Sequence, residues 1–172
     1  MSGNVQVCAR RARTGHKLHQ PHRGDPVRVG KYQHQLFLGG TMYFAPEDLE
    51  GYDLVIPFKE QLSQVITDMV PEEKIWHYPI RDFSVPDPDD WVLFIARVAD
   101  ELKQGRRILA FCAGGHGRTG TFLASLIAVL EPRIKDPVGV ARGRYCGHAV
   151  ETHEQIKAVF ALKGVLLPVK YQ

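Results

Sequence analysis

Cys112 and Arg118 are separated by five residues, Ala113, Gly114, Gly115, His116 and Gly117, and Thr119 follows at once. A thiol, a guanidinium and a hydroxyl on one short glycine-rich loop are the groups needed to grasp and attack a phosphate. Three glycines let the backbone curl so that successive N–H groups turn toward one centre, a concavity suited to an anion. Arg118 offers a planar fork that can hold two phosphoryl oxygens. A Cys beside a cation and a helix N-terminus ionises more readily than a free thiol, whose pKa is about 8.5, and the thiolate is the nucleophile. Thr119 can donate its hydroxyl to the sulfur when the thiolate leaves. The loop residues Ala113 to Gly117, with Arg118, are therefore the expected phosphate-binding set, and Cys112, Arg118 and Thr119 are expected to act in the chemistry.

These groups need a strand before them and a helix after them. Ile108, Leu109, Ala110 and Phe111 form an apolar run without helical period, as a buried strand of an α/β sheet does, so Cys112 falls at the carboxyl end where such sheets place ligands. From Thr119 to Leu130 there is no charge, which reads as a buried helix with its positive end at the same centre. The spacing of Cys and Arg alone is weak evidence; the strand, the glycines and the helix make it specific.

With these parts in view, FCAGGHGRTG resembles the signature loop of the cysteine-dependent protein tyrosine and dual-specificity phosphatases: Cys, five residues, Arg, then Ser or Thr. That family has His before the Cys, where this chain has Phe111, so the resemblance implies that a hydrogen-bonding support is absent or comes from elsewhere. The resemblance also supplies an acid. Thiolate attack needs a proton for the leaving oxygen, and Asp82, in HYPIRDFSVPDPDDW thirty positions before Cys112, lies where the compact dual-specificity phosphatases carry their acid loop. Asp82 inherits that role and Asp87 becomes the reserve. Asp89 and Asp90 precede an apolar stripe of helical period from Trp91 to Leu102 and read as its cap and first turn, with Gly105 as its end.

QLFLGG at Gln35–Gly40 and YDLVIPF at Tyr52–Phe58 resemble the family's first strands. Asp136 and Pro137 start one helix, and Thr152 with Gln155 makes a capping box for another. AVETHEQ resembles a segment whose Gln helps to place the hydrolytic water, so Gln155 is either that residue or a cap. His116 stands where tensin-like lipid phosphatases carry Lys, which implies a highly anionic substrate or a ring packed on the acid loop. The apparent lack of the loop that deepens the pocket of larger tyrosine-specific enzymes implies a shallower cleft.

The 172 residues, 44% hydrophobic and 24% charged, suit one α/β catalytic domain with a mostly parallel central sheet flanked by helices, expected over residues 30–168. Neither an internal repeat nor an apolar run of membrane-spanning length appears, and no apolar core follows the basic N-terminus as a secretory signal requires. Cysteines at 8, 112 and 146 form no disulfide framework, and a working thiolate needs a reducing compartment, so the cytoplasm is expected. Cys146 is an idle thiol or a partner for a reversible disulfide with Cys112.

The net charge of +3 is uneven. Residues 1–24 carry +5 with no acid, leaving −2 on the rest, so residues 1–29 read as a basic tail, solvated or docking on nucleic acid, an anionic surface or an acidic substrate. His16, His19 and His22 recur every third residue, but Pro21 breaks a helical face and no Cys or carboxylate completes the set; neither metal nor cofactor is expected. The function expected is hydrolysis of phosphate monoesters, on phosphotyrosine and phosphoserine or phosphothreonine of proteins, through a phosphocysteine. RNA 5′-phosphates, phosphoinositides or a phosphate-binding module with weak catalysis are the alternatives.

Overall fold

A computed structural model describes residues 22–172. The first strand, β1 (Arg23–Val29), turns through Gly30 and Lys31 into β2 (Tyr32–Gly40), and the two pair antiparallel with Val29 opposite Tyr32. A positive φ of 56° at Gly30 makes this tight reversal cheap. β3 (Leu54–Pro57) and β4 (Ile108–Cys112) pair parallel to each other, and β4 pairs parallel to β2, giving the order β1-β2-β4-β3. The sheet is mixed and mostly parallel, as expected. The domain begins earlier than residue 30, however, because β1 lies in the segment that charge alone joined to the tail. The alternating burial of Val27 and Val29 is a strand signal too short to stand out beside the charge run.

The sheet's period of two sorts its side chains between two layers. Leu36, Leu38, Leu54, Ile56, Ile108, Ala110 and Cys112 face the larger core. That core is closed by α2 (Pro88–Lys103), α3 (Gly117–Leu130), α4 (Pro137–Arg144) and α5 (His153–Lys163). Val55, Leu109 and Phe111 face a smaller cluster with Leu49, Ile66 and Val70, under α1 (Gln64–Met69) and the 3-10 turn Pro46–Leu49. Cys112 and Phe111 thus point to opposite faces of one strand.

α3 is buried along nearly its whole length, packing on α2, α4, α5 and β4, which accounts for its uncharged sequence. Trp91 of α2 donates to the Ser125 hydroxyl of α3 at 3.0 Å, pairing the polar atoms of two buried residues. The residue capping α2 is Asp87, which accepts the N–H groups of Asp89 and Asp90 at 3.1 Å each. Asp87 is therefore spent on the helix and is no reserve acid, and Asp89 and Asp90 fill the first turn. The helix ends at Gln104, followed by Gly105 at φ 82°.

Candidate active site

β2 and β4 end together, with Gly40 opposite Cys112, and the chain leaves β4 through the glycine loop into α3. Two backbones touch there. A Cβ on Gly40 would stand 2.6 Å from the Gly114 carbonyl carbon, and one on Gly115, whose φ is 80°, would stand 2.8 Å from that of Gly39. The loop's carbonyls are held from outside: Met42 N–H donates to Ala113 at 3.2 Å, Tyr145 hydroxyl to Gly115 at 2.6 Å, Gly120 N–H to His116 at 2.8 Å and Thr121 hydroxyl to Gly117 at 2.8 Å. With those oxygens engaged, the N–H edge is what the loop offers inward, and Gly115 N–H already donates to Cys112 Sγ at 3.2 Å. The sulfur is almost fully buried.

Arg118 opens α3 with only 5% of its side chain exposed. One terminal nitrogen donates to the Ile80 carbonyl at 2.9 Å and more weakly to Phe58 at 3.5 Å, while the other stands 3.2 Å from Asp82 Oδ1. Its Nε–H has no partner and is, among the described residues, the one buried side-chain polar atom left so. An unsatisfied buried donor costs on the order of 1–3 kcal/mol, so a donor of this kind on a cation at a glycine loop points to a missing acceptor.

Asp82 lies on the loop between Ile80 and α2, about half exposed, with its carboxylate also accepting Phe83 N–H at 3.0 Å. Phe83 is at φ 58°, an uncommon conformation for an aromatic residue, and its side chain is exposed. Gln155 ties this loop to α5. Its Nε2 donates to the Ser84 carbonyl at 3.2 Å, while its Oε1 accepts Glu151 N–H at 2.9 Å and Thr152 N–H at 3.2 Å. The capping box and the approach to the pocket are thus the same residue's work. Thr119 hydroxyl donates to the Gly39 carbonyl at 3.4 Å.

One residue escaped the sequence reading. The Glu151 carboxylate accepts Gly117 N–H, a donor of the glycine loop, and burial, then the negative charge of Asp82, push its pKa above the usual carboxylate value. An acid just ahead of a capping box carries no signal that separates it from a helix end. His116 turns toward the segment after α4. Its Nδ1 lies 3.6 Å from Cys146 Sγ and its ring packs edge-on to His22. Cys146 thus faces His116, and His22 joins the loop; His16, His19, Cys8 and the basic residues Arg10 to Lys17 lie outside the described residues. No helix among the described residues is long and apolar enough to cross a membrane.

A family model described as "Polymorphic toxin system, DSP-PTPase phosphatase" matches residues 51–130, from before β3 to the end of α3. Two uncharacterized proteins of Methanocaldococcus jannaschii are 38% and 39% identical over 79 residues, 46% of this chain and 48% and 52% of theirs. The chain thus spans about half the length of these relatives. The active form of Tk-PTP superposes with a TM-score of 0.66 at 20% identity, covering 83% of this chain and 98% of that one. Human DUSP28 gives 0.62 at 16% identity, with 80% and 95% covered. The kinase-associated phosphatase carrying serine for its catalytic cysteine gives 0.60 at 18%, with 83% and 98% covered. At these identities the structures speak for the fold.

Proposed function

We propose that this chain, a member of the cysteine-dependent protein tyrosine phosphatase superfamily of the compact dual-specificity type, hydrolyses phosphate monoesters of proteins through a phosphocysteine. The observation that carries the reading is Arg118: a buried cation with an unpartnered Nε–H, beside a sulfur in a glycine loop and 3.2 Å from the Asp82 carboxylate on the facing loop. In the first step Cys112 Sγ forms a bond to phosphorus as the ester oxygen departs, and Asp82 gives that oxygen its proton. Arg118 and the N–H groups of Ala113 to Gly117 hold the three remaining oxygens. In the second step water attacks phosphorus, Asp82 takes the water proton, and the thiolate leaves with the Thr119 hydroxyl turned to it. Gln155, already tied to the acid loop, is suited to placing that water.

Phosphotyrosine is the favoured substrate, with phosphoserine and phosphothreonine behind it. Exposed Phe83 adjoins the acid, and exposed Met42 donates its N–H to the phosphate loop, so apolar surface flanks the site on both sides. An aryl ring gains from such surface and a seryl methylene gains little. Phosphoinositide and RNA 5′-phosphate substrates rest on the tail, outside the described residues, and on His116, whose Nδ1 faces Cys146. A thiolate enzyme works in a reducing compartment, which supports a cytoplasmic place.

The test uses the full chain with a phosphotyrosine peptide, a phosphoserine peptide, a phosphoinositide and a 5′-phosphorylated RNA. Phosphotyrosine turnover that is blocked by vanadate and leaves an acid-trapped phosphocysteine at Cys112 supports the reading. Turnover surviving Cys112→Ser, or peptide binding with no phosphocysteine, overturns it.

A further inference from the structure

We propose that His22, His116 and Cys146 form a binding site for a divalent cation of zinc-like softness. The three donors come from distant segments, the entry to β1, the phosphate loop and the end of α4, yet their ligating atoms all lie within 4.8 Å of one another. His22 and Cys146 are buried. Two imidazoles and a thiol suit Zn²⁺, and an all-oxygen cation such as Mg²⁺ has no acceptor of its kind in the set.

The geometry is close to what a tetrahedral ion requires. With bonds of about 2.0–2.1 Å to nitrogen and about 2.3 Å to sulfur, N and S ligands of one ion stand about 3.5 Å apart. The pair His116 Nδ1 and Cys146 Sγ is at 3.6 Å, and the widest pair must close by at most about 1.3 Å. His22 is already oriented from behind, its Nδ1 2.5 Å from Asp25 Oδ2, which leaves Nε2 as its ligating atom, the carboxylate–histidine support that metal ligands use. A thiol–imidazole hydrogen bond would explain the 3.6 Å pair by itself. It leaves unexplained why a second buried imidazole, held by a carboxylate, converges on the same point. A water fills the fourth position, or His148, whose ring centre is 6.1 Å from that of His116.

Binding exchanges the Cys146 S–H proton for a metal–sulfur bond and releases that proton to solvent, with no change of oxidation state. The ion would clamp the phosphate loop through His116 to β1 and to the segment after α4. The site stands whether or not Cys112 turns over phosphate.

The test takes the full chain with its other two thiols, Cys8 and Cys112, replaced by Ser, so that neither can itself bind metal, and titrates it with Co²⁺ and then Zn²⁺. One Co²⁺ per chain with a near-ultraviolet thiolate charge-transfer band, displaced by Zn²⁺, is expected. The band should vanish with Cys146→Ser, and affinity should fall at least tenfold with His22→Ala. Saturating Zn²⁺ should raise the melting temperature by about 5–10 °C. X-ray absorption on the protein without these two changes, expected to report one sulfur and at least two nitrogens, guards against misfolded variants. No band, a band that survives Cys146→Ser, or a sulfur-free metal shell overturns the proposal.

Discussion

Arg118 Nη2 and Asp82 Oδ1 stand 3.2 Å apart, a buried guanidinium drawing a half-exposed carboxylate over the mouth of the phosphate loop. At this exposure the pair adds little to stability, in the range of about 0–1 kcal/mol. In the proposed reaction its weight is positional, because it brings the acid to the cation that would hold the phosphoryl group. Asp82→Asn should therefore lower kcat/KM, which reports the first step alone, by about 10²–10³ on an alkyl phosphate, where the leaving oxygen needs a proton. On p-nitrophenyl phosphate, whose leaving group departs unprotonated, the loss should be far smaller. Equal losses on both substrates would show that Asp82 does not act as the acid.

Glu151 occupies a donor that a phosphate oxygen would take, and its shift gives a pH signature. Below its raised pKa the group is neutral and costs an anion little. As pH rises through that value it ionises, repels the bound anion and competes for Gly117 N–H. Two unit charges about 5 Å apart at an effective dielectric near 20 repel by about 3 kcal/mol, and solvent screening at this exposed carboxylate reduces that to about 1 kcal/mol. Glu151→Gln should thus tighten inorganic phosphate inhibition about fivefold at neutral pH, with the ratio to the unaltered protein shrinking toward one as pH falls. The linkage runs the same way for folding, since ionised Glu151 is a mild cost incurred as pH rises through its folded value. A ratio independent of pH would remove Glu151 from the cradle.

Tyr145 holds the phosphate loop from behind, with its hydroxyl 2.6 Å from the Gly115 carbonyl at a buried position. Tyr145→Phe keeps the ring, which packs 4.5 Å from that of His22, and leaves the carbonyl unpaired. That costs about 1–3 kcal/mol, or roughly 2–10 °C of melting temperature for a domain of this size. With the peptide free to rotate, the neighbouring N–H groups lose their aim, so phosphate affinity should drop together with the melting temperature. Lower stability with unchanged phosphate affinity would make Tyr145 a packing residue only.

The candidate loop was legible because its signals are local. Cys112, the glycines and Arg118 share one loop, and the buried strand before them and uncharged helix after them are periodic signals that tertiary structure had no reason to override. What was hidden depends on which loops meet. Asp87 reads as a second acid from its position, but its carboxylate lies on the N–H groups of α2, and nothing within AVETHEQ separates a carboxylate that reaches the glycine loop from an ordinary helix end. His22, His116 and Cys146 are separated by up to 124 positions in the chain and meet through the sheet, so no spacing rule reaches them. β1 was lost for a different reason: its alternation is short and adjoins a charge run that suggested a tail.

Phe111 stands where the resembling family has His, and its surroundings predict what restoring that His would do. Side chains alternate along β4, so Phe111 points away from the sulfur of Cys112 and into the smaller cluster with Leu49, Val55, Ile66, Val70 and Leu109. It is fully buried and edge-on to Phe44 at 5.0 Å between ring centres. An imidazole there exchanges an aromatic contact for two nitrogens amid apolar neighbours. An uncompensated polar group in such a place costs about 1–3 kcal/mol, and the lost aromatic pairing adds about 0.5–1.5 kcal/mol. Phe111→His should therefore lower the denaturant midpoint rather than raise the thiolate fraction of Cys112, which follows from the rate of iodoacetamide alkylation against pH in a protein also carrying Cys8→Ser and Cys146→Ser. A variant as stable as the unaltered chain, with its alkylation curve moved to lower pH, would mean that the imidazole finds a partner at the loop and that the smaller cluster is not what selects Phe at this position.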